Sequence, residues 1–309
     1  MGDVSVIVPV KNREKLVIRC LDSILNQTEK PRELIVVDNA STDSTYHNVE
    51  VWMKNHAESG IVFKLLQQEI PGAWATRQKG YENAESEWVI FFDSDDAMSP
   101  TLIGSAFDVI EKNEDVDLVC WKCRINLLNG TSKTPPFNPK NPVEGHLIHS
   151  ILHTLGYMIK RDFLKKAGAW SKEVYEWDDL ELGLRILLKQ PRIKGINKIL
   201  VDIYSQEDSI TGKDFSTKEG KWEVTLGEME REVTESNHPK KDRIQKILDY
   251  RRAILAAQYY KEDNKRGAAN LLERTLKDKK LMEKIPLLFS YYYTRKGFRG
   301  AWRIVRYMI

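Results

Sequence analysis

Hydrophobic positions in the first 123 residues follow two alternating patterns. Continuous apolar runs are typical of strands buried on both faces, and they occur at 4–10, 34–38, 61–66, 88–92 and 116–121. Between these runs, apolar residues recur at helical spacing, as in Leu16, Cys20, Leu21 and Ile24. A further helix is predicted to begin at Pro100, with Ser99 as its N-cap. The alternation predicts an α/β fold with a mostly parallel sheet flanked by helices.

The pattern changes after this region. Residues 128–145 are rich in Asn, Gly, Thr and Ser and contain four prolines, which predicts a long loop. Residues 146–235 combine short helical patterns with a strand at 199–204, and from about 240 the pattern is helical with basic and aromatic residues throughout.

Composition excludes several classes of protein. Of the 309 residues, 41% are hydrophobic, which excludes a wholly disordered chain, and three cysteines are too few for a disulfide framework. The start of the chain lacks the basic segment of a signal peptide, and no apolar run reaches the roughly 20 residues that cross a bilayer. We therefore expect a cytoplasmic protein.

The net charge of +3 is unevenly distributed. Residues 240–309 hold 19 basic against 7 acidic residues, so the C-terminal part carries +12 and the rest −9. A basic, aromatic helix suits an anionic membrane surface, which predicts peripheral attachment at the inner face of the cell membrane. Packing of these helices within the protein or in a homo-oligomer is the alternative. No nucleic-acid recognition module is visible, so a nucleic-acid partner is not expected.

Acidic residues follow two of the predicted strands. Asp93, Asp95 and Asp96 come directly after the run at 88–92, and Asp38 and Asp43 flank the end of the run at 34–38. In an open α/β sheet the ligand crevice lies at the carboxyl ends of the strands. Crowded carboxylates suit Mg²⁺ or Mn²⁺ bridged to a diphosphate, although both clusters also fit turns that cap the next helix.

Two nucleotide-binding motifs are absent from the sequence. There is no G-x-G-x-x-G after the first strand and no G-x-x-x-x-G-K-[ST], so neither a dinucleotide fingerprint nor a P-loop is present. Any nucleotide bound here would have its phosphates held by metal and side chains.

Several motifs in order resemble the family 2 glycosyltransferases, which are inverting enzymes with the GT-A fold. Val4–Asn12 is similar to the family's V-S-V-I-[IV]-P-x-Y-N opening, and Glu33–Thr45 to its second strand and acidic turn. The stretch from Gly72 to Gly80 resembles G-x-x-x-A-R-N-x-G, and Asp93–Asp96 resembles D-x-D-D. The resemblance covers residues 3–212 and implies transfer of a sugar from a nucleotide-diphosphate donor to a glycan or lipid-linked acceptor.

The resemblance implies roles for the donor-side residues. Pro9 and Asp38 would contact the base and ribose, Arg77 would support the nucleotide, and Asn12, Asn39 and Ser94 would lie in the same site. Asn39 stands where the family more often has a second aspartate. Asp93 would lie near the ribose and the metal shell, and Asp95 would bind Mn²⁺ or Mg²⁺ directly. The run from Gln206 to Thr211 resembles the loop that closes over the donor phosphates.

The resemblance also implies an acceptor side. Glu176–Arg185 resembles the family's E-D-x-x-L-x-x-R segment, which makes Asp179 the catalytic base, with Asp178 in place of the usual glutamate. The acids alone also fit the first turn of a helix. Glu181 and His153 are further acceptor-side candidates. His146, His149 and His153 would share one helix face, which we interpret as a polar face rather than a zinc site.

These expectations define the predicted domains and two competing functions. The catalytic domain would span 1–215, with a nucleotide half at 1–125 and an acceptor half at 146–215, and residues 216–309 would form the helical extension. A sugar-1-phosphate nucleotidyltransferase would instead need a glycine-rich loop after the first strand, which Pro9–Arg13 lacks. A catalytically silent sugar-binding or scaffold subunit is the second alternative.

Overall fold

The computed structural model describes residues 2–113, 115–206, 215–216 and 220–308. The chain divides into two compact units. The first comprises Met1–Lys172 and Asp178–Ser209, and the second comprises Glu173–Trp177 and Ile210–Ile309. The second unit thus includes the five residues that directly precede Asp178.

The first part of the chain alternates strands and helices as predicted. Its elements are β1 (Gly2–Val10), α1 (Val17–Leu25), β2 (Pro31–Asp38), α2 (Thr45–Asn55), β3 (Val62–Gln67), α3 (Ala73–Glu82) and β4 (Trp88–Phe91). A single 3₁₀ turn, Ala57–Ser59, precedes β3. These four strands run parallel in the order β3-β2-β1-β4, so their carboxyl ends lie along one edge.

The remainder of the first unit completes the sheet. Its elements are β5 (Ala97–Met98), α4 (Leu102–Glu111), β6 (Leu118–Asn126), β7 (Ser132–Lys133), α5 (Pro142–His149), β8 (Tyr157–Lys160), α6 (Arg161–Ala167), α7 (Asp178–Leu188) and β9 (Ile193–Tyr204). The sheet continues from β4 as β8-β6-β9-β5, with β8 antiparallel to both neighbours and β6 parallel to β9. The predicted mostly parallel sheet flanked by helices is therefore confirmed.

The core explains why the apolar runs form buried strands. Val4, Val6 and Val8 of β1 pack with apolar residues of α1, α2 and α4. Ile7, which points to the other face, lies against α3 so closely that a Cβ at Gly80 would meet its Cγ2 atom at 2.3 Å. Because both faces of β1 are covered, the strand is a continuous apolar run rather than an alternating one.

Two local predictions were wrong. Helix α4 begins at Leu102 with Thr101 as its N-cap, not at Pro100, because Ala97–Met98 pairs with β9 and the Ser99 N–H donates to the Leu200 carbonyl. The three histidines do not share one helix face, because α5 ends at His149 and Ser150 adopts a left-handed φ of 51°.

The second unit is helical in its described part. It contains α8 (Lys221–Glu235), α9 (Lys241–Lys261), α10 (Lys265–Leu276), α11 (Leu281–Arg295) and α12 (Trp302–Val305). Helix α9 packs against α8, α10 and α11. Across the residues that the structure describes, no helix combines the length and apolar character needed to cross a bilayer.

Candidate active site

The carboxyl ends of β1, β2 and β4 bring the predicted donor-side residues together. Val10 at the end of β1 pairs with Asp38 at the end of β2, and Ile7 of β1 pairs with Phe91 at the end of β4. Asn12 follows β1 directly, and Asp93 and Asp95 follow β4. The parallel arrangement therefore places these polar residues at one edge of the sheet, where α/β folds bind ligands.

Asp38 and Asn12 are held by the turn that follows β2. The Asp38 Oδ2 atom accepts from the Ser41 N–H at 3.0 Å, whereas its buried Oδ1 atom has no hydrogen-bond partner among the described residues. Asn12 has a φ of 50°, and its Oδ1 atom accepts from the Thr42 N–H at 2.8 Å. Pro9 is half-buried within β1. Asp38 thus retains an acceptor atom, while the Asn12 side chain connects two loops.

Asn39 uses both ends of its side-chain amide to hold the segment before α3. Its Nδ2 atom donates to the carbonyls of Gln68 and Ile70, each at 2.8 Å, and its Oδ1 atom accepts from the Gly72 N–H at 3.0 Å. A carboxylate could not donate to these two carbonyls. The departure from the family's aspartate therefore has a structural reason, namely support of residues 68–72.

Arg77 joins the predicted donor side to the predicted acceptor side. Its Nη2 atom lies 3.0 Å from Asp93 Oδ1, and its Nη1 atom lies 2.8 Å from Asp178 Oδ2. The guanidinium also lies over the ring of Trp170, 4.8 Å from the centroid. Burial acts to lower the pKa of Arg77, but the two carboxylates raise it overall, so the group remains charged.

Asp95 has two arginine neighbours that the sequence did not single out. Its Oδ2 atom lies 3.4 Å from Arg13 Nε, and its backbone carbonyl accepts from Arg19. Burial and the nearby Asp93 raise the pKa of Asp95, although Arg13 acts in the opposite direction. The arginines lie in the loop after β1 and in α1, far from the acidic motif in sequence. Only the fold could reveal these pairs.

Ser94 and Asp96 face the interior. Both are buried, and Asp96 Oδ1 accepts from the Tyr204 N–H at 2.8 Å at the end of β9. Burial and the neighbouring Asp93 raise the pKa of Asp96 to about 8. The Arg19 guanidinium lies 3.9 Å from the Tyr204 ring centroid. Asp96 therefore ties the acidic motif to the end of β9. Of the predicted phosphate loop at 206–211, only Gln206 lies within the described residues.

The predicted acceptor-side acids begin α7. Asp178 Oδ1 accepts from the Asp179 N–H at 2.9 Å while its other oxygen pairs with Arg77. Burial raises the pKa of Asp178; Arg77 opposes this effect, and Asp179 adds to it. Asp179 is half-buried. Asp179 therefore directly follows a carboxylate that Arg77 links to Asp93.

Glu181 contacts a buried arginine, although it was predicted to lie on the acceptor side. It forms a buried ion pair with Arg185, whose guanidinium also donates to the carbonyls of Ala167 and Ala169, each at 2.6 Å. Ala169 has a φ of 39° and follows Gly168 at 88°. The Glu181–Arg185 pair therefore holds the tight turn after α6, and this contact does not favour an acceptor role.

Two of the histidines act on α7 and the site in different ways. The buried His146 ring donates from Nε2 to the Leu180 carbonyl at 2.9 Å and accepts the Leu152 N–H at Nδ1. Its partners indicate a neutral ring that positions the first turn of α7. Burial lowers the pKa of His153 to about 4, although the nearby Asp93 carboxylate acts to raise it. His153 is therefore neutral at pH 7.

The residues directly before Asp178 pack within the second unit. Thr225 Oγ1 donates to the Glu176 carbonyl at 2.7 Å. Trp177 has a φ of 55°, and its ring lies edge-on to Trp222 at 4.7 Å and beneath the Arg251 guanidinium at 4.5 Å. These contacts fix residues 176 and 177 within the second unit.

Comparison with known proteins identifies the family. The model of the family described as "Glycosyl transferase family 2" matches residues 5–168, which is more than half of the chain. The chain belongs to this family. The matched region includes β2 and β4 with the acids at their ends, as well as Arg77, so the sequence resemblance to the family is confirmed.

Curated relatives of this family-2 chain are sugar transferases. A cholesterol galactosyltransferase of Borreliella burgdorferi is 24% identical over 67% of this chain and 62% of its own length. A poly(ribitol-phosphate) beta-glucosyltransferase of Bacillus spizizenii is 29% identical over 53% of this chain and 26% of its own length. The chain thus spans less than two thirds of either relative.

Solved structures share the fold of this family member. The S. aureus TarS 1–349 structure in complex with UDP-GlcNAc has a TM-score of 0.71 at 20% identity, covering 99% of this chain and 92% of that one. The mannosyltransferase PcManGT from Pyrobaculum calidifontis, in complex with GDP-Man and Mn²⁺, has a TM-score of 0.59 at 18% identity, covering 99% and 83%.

Two acids of this family-2 site fit a divalent metal whose shell is completed by other oxygens. Within the described residues, no three His, Cys, Asp or Glu side chains converge in the geometry of a protein-only metal site. Mg²⁺ and similar ions are commonly bound by one or two carboxylates, with phosphate and water oxygens completing the shell. Asp93 and Asp95 are both partly exposed, with 32% and 21% of their side chains accessible. They fit this mixed kind of site.

Proposed function

We propose that this protein is an inverting glycosyltransferase that moves a sugar from a nucleotide-diphosphate donor, a UDP-sugar, to a hydroxyl of a glycan or lipid-linked acceptor. Cell-surface polysaccharide synthesis is the process it would serve. The observation that carries the proposal is the Arg77 bridge, because it joins Asp93 of the acidic motif to Asp178 beside the candidate base. The structurally similar proteins TarS and PcManGT were solved in complex with UDP-GlcNAc and GDP-Man, which supports a nucleotide-sugar donor.

The donor would lie across the carboxyl ends of the parallel strands. Asp38 Oδ1 is a buried acceptor without a partner among the described residues, and a ribose hydroxyl would satisfy it. An open depression of about 700 Å³ is lined by Asn12, Arg13 and Lys15, and also by the acids Glu14 and Asp43. This volume lies within the range of ligand sites, and Arg13, which lies near Asp95, would bind a phosphate oxygen there.

The proposed cofactor is Mn²⁺ or Mg²⁺, with Asp95 as the direct ligand and Asp93 nearby. When bound, the ion would neutralise charge on the diphosphate leaving group. Arg13 would move between Asp95 and the phosphate oxygens, because a guanidinium binds either group well. The structure of the mannosyltransferase PcManGT contains GDP-Man and Mn²⁺, which supports a divalent metal in this protein.

Asp179 is the proposed base. Its carboxylate would accept the proton of the acceptor hydroxyl while that oxygen attacks the anomeric carbon from the face opposite the leaving group. Arg77 holds Asp178, and Asp178 accepts from the Asp179 N–H, so the first turn of α7 has a defined orientation. Positioning of this kind contributes strongly to group-transfer rates.

A panel of nucleotide sugars, assayed for donor hydrolysis and for transfer with Mn²⁺, Mg²⁺ or EDTA, tests the proposal. We expect metal-dependent turnover of at least one UDP-sugar. Asp179→Asn is expected to abolish transfer while donor binding remains. Asp95→Asn is expected to weaken donor binding measured in the presence of Mn²⁺ or Mg²⁺. Glu58→Gln, an exposed acid in the 3₁₀ turn, is the matched control and is expected to have no effect.

The two alternative functions give different results in the same assays. A nucleotidyltransferase would release pyrophosphate from a nucleoside triphosphate and a sugar 1-phosphate. A silent sugar-binding subunit would bind donor in the Asp179→Asn variant and in the wild type alike, with no turnover in either. If turnover of every donor were the same in EDTA as in Mn²⁺ or Mg²⁺, the assignment of Asp95 as a metal ligand would be overturned.

A further inference from the structure

One face of α11 is apolar and exposed. Leu281, Met282, Ile285, Phe289 and Tyr292 lie within an arc of about 100° at 3.6 residues per turn. The exposed fractions of Leu281 and Met282 are 74% and 75%, the highest of the five. The opposite side of the helix supplies buried residues to the second unit, namely Pro286, Leu287, Ser290, Tyr291 and Thr294. We define the five exposed residues as the α11 face.

Aromatic contacts extend the α11 face beyond the end of the helix. The rings of Phe289 and Tyr293 stack at 5.4 Å, and Tyr293 contacts Phe298 at 5.0 Å. Phe298 is itself 55% exposed. Large apolar side chains grouped in this way are unusual on a surface that faces only water, and they mark an interaction site.

Basic residues lie on one side of the α11 face and beyond both ends of the helix. Residues 277–308 contain nine Lys and Arg but only two acids, Asp278 and Glu283. Lys296 and Arg299 are exposed, and Lys284 flanks the first turns of the face. The Glu283 carboxylate accepts from the Lys280 N–H at the helix start. The surroundings of the face are therefore strongly positive.

We infer that the α11 face binds an anionic membrane surface, with the helix lying in the plane of the headgroups. A helix of 15 residues is about 22 Å long, and its apolar arc is bordered by cations, as in helices that bind membrane interfaces. Charge decides between lipid and a second copy. Two copies would bring identical positive surfaces together, whereas anionic lipids complement them. This inference is independent of the proposed sugar transfer.

Co-sedimentation of the full chain with lipid vesicles tests the inference. We expect binding to vesicles that contain phosphatidylglycerol, weak binding to pure phosphatidylcholine, and loss of binding as salt is raised. The double variant Leu281→Gln/Met282→Gln should reduce binding about tenfold or more, because the face loses its two most exposed apolar side chains. Val224→Gln, an exposed apolar residue on α8, is the matched control and should bind like the wild type.

A charge series separates the electrostatic contribution. Lys296→Gln/Arg299→Gln should lower binding on the order of tenfold and flatten its salt dependence, whereas Arg231→Gln on α8 should not. Thermal melting establishes that each variant is folded, and donor hydrolysis should be unchanged in all of them. Equal binding of wild type and Leu281→Gln/Met282→Gln would overturn the inference. So would a dimer in lipid-free solution that this double variant dissociates, since the face would then bind a second copy.

Discussion

Arg77 Nη1 and Asp178 Oδ2 lie 2.8 Å apart, although the two residues are 101 positions apart in the chain. The same guanidinium pairs with Asp93, so one buried cation neutralises carboxylates from two parts of the site. This pair is costly to break, because two carboxylates that are only partly exposed would lose their cationic partner.

Arg77→Met is expected to lower sugar transfer about 100-fold and the free energy of unfolding by roughly 3 kcal/mol. Arg77→Lys should recover only part of either, because an ammonium is a point charge that cannot reproduce the planar bridge. Arg192→Met, which removes the exposed guanidinium that lies 2.9 Å from Asp117, is the control and should have a much smaller effect on stability. Kinetics and thermal unfolding measure both effects. Near-normal transfer in Arg77→Met would disprove the positioning role.

Asn39→Asp is expected to destabilise the protein by roughly 3 kcal/mol and to raise the KM for the donor. The carboxylate cannot donate to the Gln68 and Ile70 carbonyls, which would be left without that partner beside a negative charge. Asn83→Asp, which removes one exposed bond to the Lys79 carbonyl, is the matched control. If the two variants melt alike and the donor KM is unchanged, the structural explanation for Asn39 fails.

The lowered pKa of Glu33 predicts that the protein loses stability in acid. Burial acts to raise its pKa, but hydrogen bonds from Lys64, Ser5 and the Glu85 N–H outweigh burial and lower the pKa to about 2 from 4.5. Because the folded-state pKa is depressed, the stabilisation is present above pH 4.5 and is lost as the pH falls toward 2. The shift corresponds to roughly 3 kcal/mol.

Denaturant unfolding between pH 7 and pH 2 tests this prediction. In Glu33→Gln the stability should be lower at pH 7 and the slope below pH 4.5 should be shallower than in the wild type. The exposed Glu58→Gln variant should retain the wild-type slope. An unchanged slope in Glu33→Gln would show that other groups control acid unfolding.

Two helical glycines predict opposite effects of the same substitution. A Cβ at Gly183 would lie 2.2 Å from His146 Nε2, so Gly183→Ala must displace the ring that holds the Leu180 carbonyl. We expect a loss of roughly 2 kcal/mol and reduced transfer. In α8, no atom of the described residues outside the adjoining helix backbone lies within 4 Å of a Cβ at Gly227, so Gly227→Ala should stabilise by up to about 1 kcal/mol. Thermal melting of both variants provides the comparison, and stabilisation by Gly183→Ala would contradict the role of His146.

The sequence by itself determined strands β1 to β4 and the acids that follow β2 and β4, whereas it did not reveal β5, β7 or β8. The apolar run at 4–10 became β1, and the run at 88–92 became β4 with Asp93 and Asp95 beyond it, because burial on both faces of a sheet is written in local residue patterns. The resemblance to the family motifs then indicated which of these polar residues to expect in one site. These are local properties, and a single sequence is sufficient to express them.

Only the tertiary structure decided which side chains hold one another. It paired Arg77 with Asp178, directed Asn39 to the backbone of 68–72 and set His146 against the Leu180 carbonyl of α7. The partner of a polar group depends on what the fold brings within about 3 Å of it, often from far along the chain. Local spacing has no information about that distance, so the acids were visible in the sequence while their partners were not.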